Sequence, residues 1–359
     1  MKEGGEAGVS EKPNDLDGRD VLVVGGAGYI GAVLVPHLLG AGARVRILDG
    51  LIYGNGYSIQ HLLDDDRVSF HLGDIAESGI FEHAARDVTD VVLLASLVGD
   101  PICKKYPNLA LRTNVHAALS ILDSLDKLGI DRFVFLSTCS NYGLLPEDVL
   151  ATEESELNPQ SLYARTKIQV EEELIRRGAA ANYAGTILRL ATAYGLSPRM
   201  RFDLTISQFT REIAIGQGLV VYDADTWRPY CHVRDIAKSI LTVLSADREL
   251  IRNEIFNVGD TSEQFTKRMI VDEISQYVPN AKVEFRSGDT DPRNYRVSFS
   301  KIGDKLLFRT DLSVREHIPR LIGAIGEGIF PDTVGSMRFG NHGLIPAYQQ
   351  IEEDLARLN

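Results

Sequence analysis

The chain has 359 residues, 44% hydrophobic and 25% charged, which allows one large α/β domain or a dinucleotide domain with a smaller companion and excludes wholesale disorder. Its 38 basic and 50 acidic residues give a net charge of −12, which repels a phosphate backbone and argues against a nucleic-acid partner. The longest apolar stretch, Val91–Val98, is far short of the roughly 20 residues that cross a bilayer, and Met1–Asp20 has no apolar core, so neither a membrane span nor a signal peptide is expected.

Residues 1–18, rich in Gly, Glu, Lys, Asp and Asn, read as a disordered tail. The first apolar run, 21–24 (VLVV), is followed by GGAGYIG and an amphipathic helix start through Ile30, Val33, Leu34 and Leu38. Gly25, Gly28 and Gly31 form the pattern GxxGxxG between strand and helix. Glycines there let backbone N–H groups approach a pyrophosphate at a helix N-terminus. Tyr29 and Ile30 belong to the same cofactor turn. The second run, 45–48 (VRIL), ends at Asp49, 18 residues after Gly31. A carboxylate there accepts both ribose hydroxyls and repels a 2′-phosphate, which favours NAD over NADP. After the third run, 68–72 (VSFHL), Asp74 and Ile75 face the adenine end, a structural turn being the alternative for Asp74. After the fourth, 91–95 (VVLLA), Leu94 and Ala95 close on the cofactor.

Leu111, Val115, Ala118, Leu122 and Leu125 recur at helical spacing and Gly129 supplies a stop. The fifth run, 133–136 (FVFL), leads into STCSNYG, whose hydroxyls lie where doubly wound folds bind ligands. A second helix is expected from Ser161 to Arg177, closed by Gly178. It carries YARTK, which puts Tyr163 and Lys167 four residues apart on one face. An adjacent ammonium and an oxidised nicotinamide both favour the Tyr163 phenolate, so Tyr163 suits a general base on a sugar hydroxyl, with Thr138 bonding the same oxygen. Runs at 186–190 (TILRL) and 255–259 (IFNVG) complete a doubly wound parallel, Rossmann-type α/β sheet with a smaller C-terminal substrate lobe. The expected division is 19–190 with 231–260 for the NAD domain, and 191–230 with 261–345 for the lobe. Cys103, Cys139 and Cys231 have neither zinc-ligand spacing nor the makings of a disulfide framework, so no metal and a reducing, cytoplasmic compartment are expected.

GGAGYIG, Asp49, YARTK and RPYCHVRD (228–235), in this order, resemble the extended short-chain dehydrogenase/reductase family, specifically its NAD-dependent nucleotide-sugar epimerases and dehydratases such as the UDP-glucose 4-epimerases. The resemblance covers roughly 20–310. It implies tightly bound NAD, transient oxidation of a sugar carbon, commonly C4, a nucleotide-sugar substrate and a homodimer built from paired helices. By position it makes Thr138 the catalytic hydroxyl, Tyr163 the base and Lys167 the ribose-binding cation that lowers the Tyr163 pKa. It makes Asn114 part of the cofactor site, although a structural polar residue beside the apolar stripe reads as well. Arg228 and Arg286, the latter in RSGD, match arginines that grip the nucleotide phosphates.

Two departures stand out. Dehydratases of the family carry Asp-Glu after the catalytic Thr, and decarboxylating relatives a Glu at the second position, where this chain has Cys139-Ser140. Cys139 reads as a small packed residue or a redox-sensitive thiol. In LRLATAYGL (188–196) Thr192 takes the place of the family's phosphate-contacting Asn. The basic SPRMRFDL that follows makes Arg201 a substrate contact. The reading is therefore an epimerase with Tyr163 as base, against a net keto-sugar oxidoreductase that exchanges cofactor each turnover, a 4,6-dehydratase disfavoured by the missing acids, and a non-catalytic NAD-binding scaffold.

Overall fold

The computed structural model describes residues 15–146, 148–288, 293–330 and 337–358, so most of the expected tail lies outside the described residues. All seven apolar runs become strands of one parallel sheet. Across it they run Glu254–Val258, Ala184–Leu190, Arg132–Thr138, Asp90–Leu93, Asp20–Val24, Arg44–Asp49 and Val68–Leu72. Continuous apolar runs suit this because helices cover both faces: every residue of Ala184–Leu190 is buried. Strand order reverses at Asp20–Val24, so the crevice at the carboxyl ends of this strand and of Asp90–Leu93 is the ligand position of a doubly wound sheet.

The helix Leu162–Gly178 starts where the Ser161 hydroxyl accepts from the Ala164 N–H at 3.2 Å. The helix expected around 111–125 is present and unbroken from Pro107 to Leu128, but it carries a π-helical turn, Arg112–Ala117, between Pro107–Leu111 and Ala118–Leu128, and it is stopped by Gly129 at φ 69°. The extra residue of the π turn aims Asn114 inward. Its Oδ1 accepts from the Leu97 N–H at 2.8 Å and its Nδ2 donates to the Leu97 carbonyl at 3.1 Å.

After residue 190 a second set of elements packs over the crevice. A three-stranded sheet joins Gln264–Thr266, Trp227–His232 and Thr192–Tyr194. Leu219–Tyr222 pairs with Val283–Arg286. Helices Thr205–Ala214, Lys267–Ser275 and Val314–Gly326 pack around their own apolar cluster, which includes Ile206, Phe209, Ile270, Ile274 and Ile318. The last helix, Pro346–Leu358, departs from this lobe and docks on the cofactor side of the sheet, where Glu352 accepts from the Leu109 N–H at 2.6 Å.

Tyr194, His232 and His317 form a buried ring cluster with centroids 5.2–5.3 Å apart. Burial lowers His232 to about 3, and burial with Arg320 lowers His317 to about 4. In the unfolded chain both protonate near 6.5, so the unfolded state gains protons first as pH falls. Stability therefore drops below pH 6.5, by roughly 1 kcal/mol per histidine per pH unit. His317→Phe is expected to remove one proton from this slope, read from urea unfolding midpoints between pH 7 and 5.5. An unchanged slope contradicts the assignment.

Candidate active site

The crevice is a cavity of about 860 Å³. Its floor is the glycine turn. Gly25 sits at φ 90°, and a Cβ there would lie 2.6 Å from the Ala95 nitrogen, so only glycine permits this approach of the first strand to the fourth. A Cβ on Gly31 would lie 2.6 Å from the Gly25 and Gly26 carbonyl oxygens, the packing that sets the helix Gly31–Gly40 against the turn. Gly31→Ala is expected to cost about 1–3 kcal/mol by overpacking and to abolish dinucleotide binding, read by thermal unfolding and by titration with NAD. Retention of both would show that the turn tolerates a side chain.

Gly25, Gly28, Tyr29, Ile30, Gly31, Asp49, Asp74, Ile75, Leu94 and Ala95 all line this cavity. Asp49 accepts from the Ala27 N–H at 3.0 Å and the Leu51 N–H at 2.8 Å. Burial nevertheless pushes its carboxyl up, against those bonds and Arg199. Asp74 is paired with Arg112 at 2.5 Å. The Tyr53 hydroxyl and Asn55 Oδ1, also in the wall, are buried with no partner within the described residues. Glycines without room for side chains, a carboxylate at the second strand's end and unpartnered buried polar atoms together fit a dinucleotide.

On the other side of the cavity stand Thr138, Tyr163 and Lys167. The Thr138 hydroxyl caps the turn Cys139–Tyr142 by accepting from the Ser140 N–H at 3.1 Å. Lys167 Nζ donates to the Leu136 carbonyl at 2.9 Å and lies 5.8 Å from the centre of the Tyr163 ring. Burial lowers Lys167 to about 8, opposed by Cys103 and Glu171. Burial raises the Tyr163 phenol, Cys103 and Asp100 add to this, and Arg201 opposes it.

Of the expected substrate contacts, Thr192, Arg201 and Arg228 line the cavity. Arg201 is paired with Asp203 at 2.6 Å, and Arg228 lies over the Tyr295 ring at 5.2 Å. Arg286 does not line it: its guanidinium is half-exposed and bonds Glu284 at 2.7 Å, on the strand Val283–Arg286 that pairs with Leu219–Tyr222 at the edge of the substrate lobe. Asn114 does not reach the cavity either, since its amide is spent on Leu97. Cys139 is fully buried, its Sγ 3.2 Å from the Arg189 carbonyl, and burial pushes its thiol far up, so it is a packed residue rather than a reactive thiol.

Residues that sequence reading missed are Asp100, Arg199, Arg293, Tyr295 and Tyr348. Arg293 pairs with Asp100 at 3.0 Å and reaches the Ser140 hydroxyl at 3.4 Å, which in turn lies 3.4 Å from the Tyr295 hydroxyl. The only sequence signal for Asp100 is its place before Pro101 at the start of a helix, Asp100–Lys105.

The family model for the NAD dependent epimerase/dehydratase family matches residues 21–259. The chain is 29% identical over 263 residues to a UDP-glucose 4-epimerase of Corynebacterium glutamicum, covering 70% of this chain and 78% of that one. It is 26% identical over 325 residues to UDP-glucuronic acid decarboxylase 1 of Arabidopsis thaliana, covering 88% and 72%. Among solved structures, the dTDP-glucose 4,6-dehydratase of Streptomyces venezuelae, with NAD bound, superposes with a TM-score of 0.78 at 25% identity, covering 86% of this chain and 97% of that one. Three different reactions are thus represented among these relatives.

Proposed function

Because this chain belongs to the NAD-dependent epimerase/dehydratase family, we propose that it is a nucleotide-sugar epimerase that inverts a sugar carbon, C4 in our reading, through a transient keto-sugar. The observation that carries this is the residue set beside Thr138. Tyr163, Lys167 and Thr138 share the cavity wall, while the two positions that bear acids in dehydratases are a buried thiol, Cys139, and a hydroxyl, Ser140.

When bound on the glycine turn, NAD would supply reversible hydride acceptance at the sugar carbon. Tyr163 removes the hydroxyl proton of that carbon and returns it. Thr138 donates a hydrogen bond to the same oxygen, steadying it as it changes from alcohol to carbonyl. Lys167, fixed by the Leu136 carbonyl, orients the ribose and keeps positive charge beside the phenol. Arg228 and Arg201 supply the fixed charges that grip the substrate diphosphate. In this reading 19–190 with 231–260 hold the cofactor and the intervening and later segments hold the substrate. Residues 337–348 are the exception, crossing back to the cofactor edge through the Ile345 N–H to the Ile52 carbonyl at 3.0 Å. Asn341, His342 and Tyr348 of that segment also line the cavity. We further propose a homodimer.

Proton NMR of the purified chain with UDP-, dTDP-, GDP-, ADP- and CDP-hexoses, without added cofactor, tests the proposal. One stereoisomer pair is expected to approach the same ratio from either side. A 4-keto-6-deoxy product, or turnover only with added NAD in stoichiometric amount, would replace it with the dehydratase or the oxidoreductase.

A further inference from the structure

Arg199 is among the largest fully buried side chains of the protein, 1% exposed, yet it forms part of the cavity wall. Its guanidinium donates to the Met200 carbonyl at 3.2 Å, the Gly340 carbonyl at 3.2 Å and Asn341 Oδ1 at 3.0 Å, and lies 5.0 Å from the centre of the Tyr53 ring. All these partners are neutral. Among the described residues no carboxylate forms an ion pair with it, and Asp203, close in sequence, is engaged by Arg201. An arginine stays charged, and a charge withdrawn from water without a counter-charge is costly. The cavity it faces is where an anion would relieve that cost.

The position of Arg199 identifies the anion. The segment carrying it is stitched to the glycine turn: the Tyr29 hydroxyl donates to the Gly195 carbonyl at 2.7 Å, and the Ser197 hydroxyl donates to the Tyr29 carbonyl at 2.8 Å and accepts from the Arg199 N–H at 3.2 Å. Tyr29 lies inside GxxGxxG, between Gly28 and Gly31, at the N-terminus of the helix Gly31–Gly40. The segment of Arg199 is thus packed on the turn at the helix terminus, the guanidinium and that turn line the same cavity, and both favour a phosphate. Arg199 also acts electrostatically on Asp49, the carboxylate at the ribose end.

We infer that Arg199 binds the diphosphate of the dinucleotide, and that the C-terminal segment through Gly340 and Asn341 positions it. The substrate side and the C-terminus of the chain thus both close on the cofactor. The inference needs NAD in this cavity and does not depend on C4 epimerisation.

The test is calorimetric titration of the nucleotide-free full chain with NAD, adenosine and UDP. Charged hydrogen bonds of this kind set the scale: Arg199→Met is expected to weaken NAD roughly 10- to 100-fold and leave adenosine and UDP unchanged. Asn341→Asp gives the guanidinium an internal counter-charge, at the cost of the bond that Asn341 Nδ2 donates to the Val98 carbonyl at 3.2 Å. It is expected to raise the melting temperature of the nucleotide-free chain while weakening NAD. If NAD affinity is unchanged in Asn341→Asp while stability rises, Arg199 is structural and the inference falls, even should Arg199→Met not fold. Loss of UDP binding with NAD intact assigns the diphosphate to the sugar nucleotide and also overturns it. A wild-type chain that binds no NAD would instead refute the cofactor reading itself.

Discussion

Replacing Tyr163 by phenylalanine is expected to lower turnover by about 10²–10⁴-fold, the range general acid–base catalysis contributes, while NAD remains bound with wild-type affinity. The substitution deletes one oxygen and keeps the ring, so packing on the helix Leu162–Gly178 persists and the Lys167 ammonium keeps its bond to the Leu136 carbonyl. Tyr163 is the residue whose phenol shares the cavity with Lys167 and Thr138, and among the described residues no histidine accompanies them there except His342. Steady-state rates with the substrate identified by NMR, together with bound NAD per chain, decide the matter. Turnover within a few-fold of wild type would move the proton to another group. Asp100, a carboxylate in the same cavity with one buried unpartnered oxygen, would then be the candidate.

The largest stability loss is expected from Glu171→Ala, about 3–5 kcal/mol, because it leaves the Arg189 guanidinium buried without its counter-charge. The pair is nearly inaccessible, with side chains 4% and 1% exposed and Nη2 to Oε2 at 2.7 Å. Burial opposes the Arg189 charge, and Glu171 outweighs it, holding the guanidinium above its usual range. Glu171 also accepts from Asn141 Nδ2 at 2.9 Å, and Arg189 donates to the Tyr142 hydroxyl at 3.1 Å. The network thus ties the helix of Tyr163 and Lys167 to the turn after Thr138 and to the strand Ala184–Leu190. Urea unfolding of Glu171→Ala and of the double variant Glu171→Leu/Arg189→Met tests this: the double variant is expected to recover most of the loss, since two apolar side chains need no partner. A loss below about 1 kcal/mol in the single variant would mean that water reaches Arg189 and screens it.

The seven strands, the glycine turn and the YARTK face were legible because each is a local pattern. A run of four or five apolar residues, a strand–turn–helix spacing and an i, i+4 pair are written in consecutive residues and survive in the fold. The dinucleotide end of the site follows from the same locality, since Gly25–Gly31 and Asp49 sit at strand ends whose order the alternation of elements dictates. Asn114 and Arg286 show where that logic stops. Both lie at expected positions, but an inserted π turn commits one to Leu97, and the register of a two-stranded edge directs the other to Glu284.

By itself, then, the sequence determined the sheet, the glycine turn and the shared helix face of Tyr163 and Lys167, all of them consequences of short-range spacing. Only the tertiary structure decided which charges face the cavity. Arg199 meets Gly340 and Asn341 from about 140 residues away in the chain, and Arg293 meets Asp100 from a segment likewise remote in sequence. Whether an arginine is a solvated surface charge or a buried clamp depends on what the rest of the chain places around it, and burial is a property of the whole packed molecule.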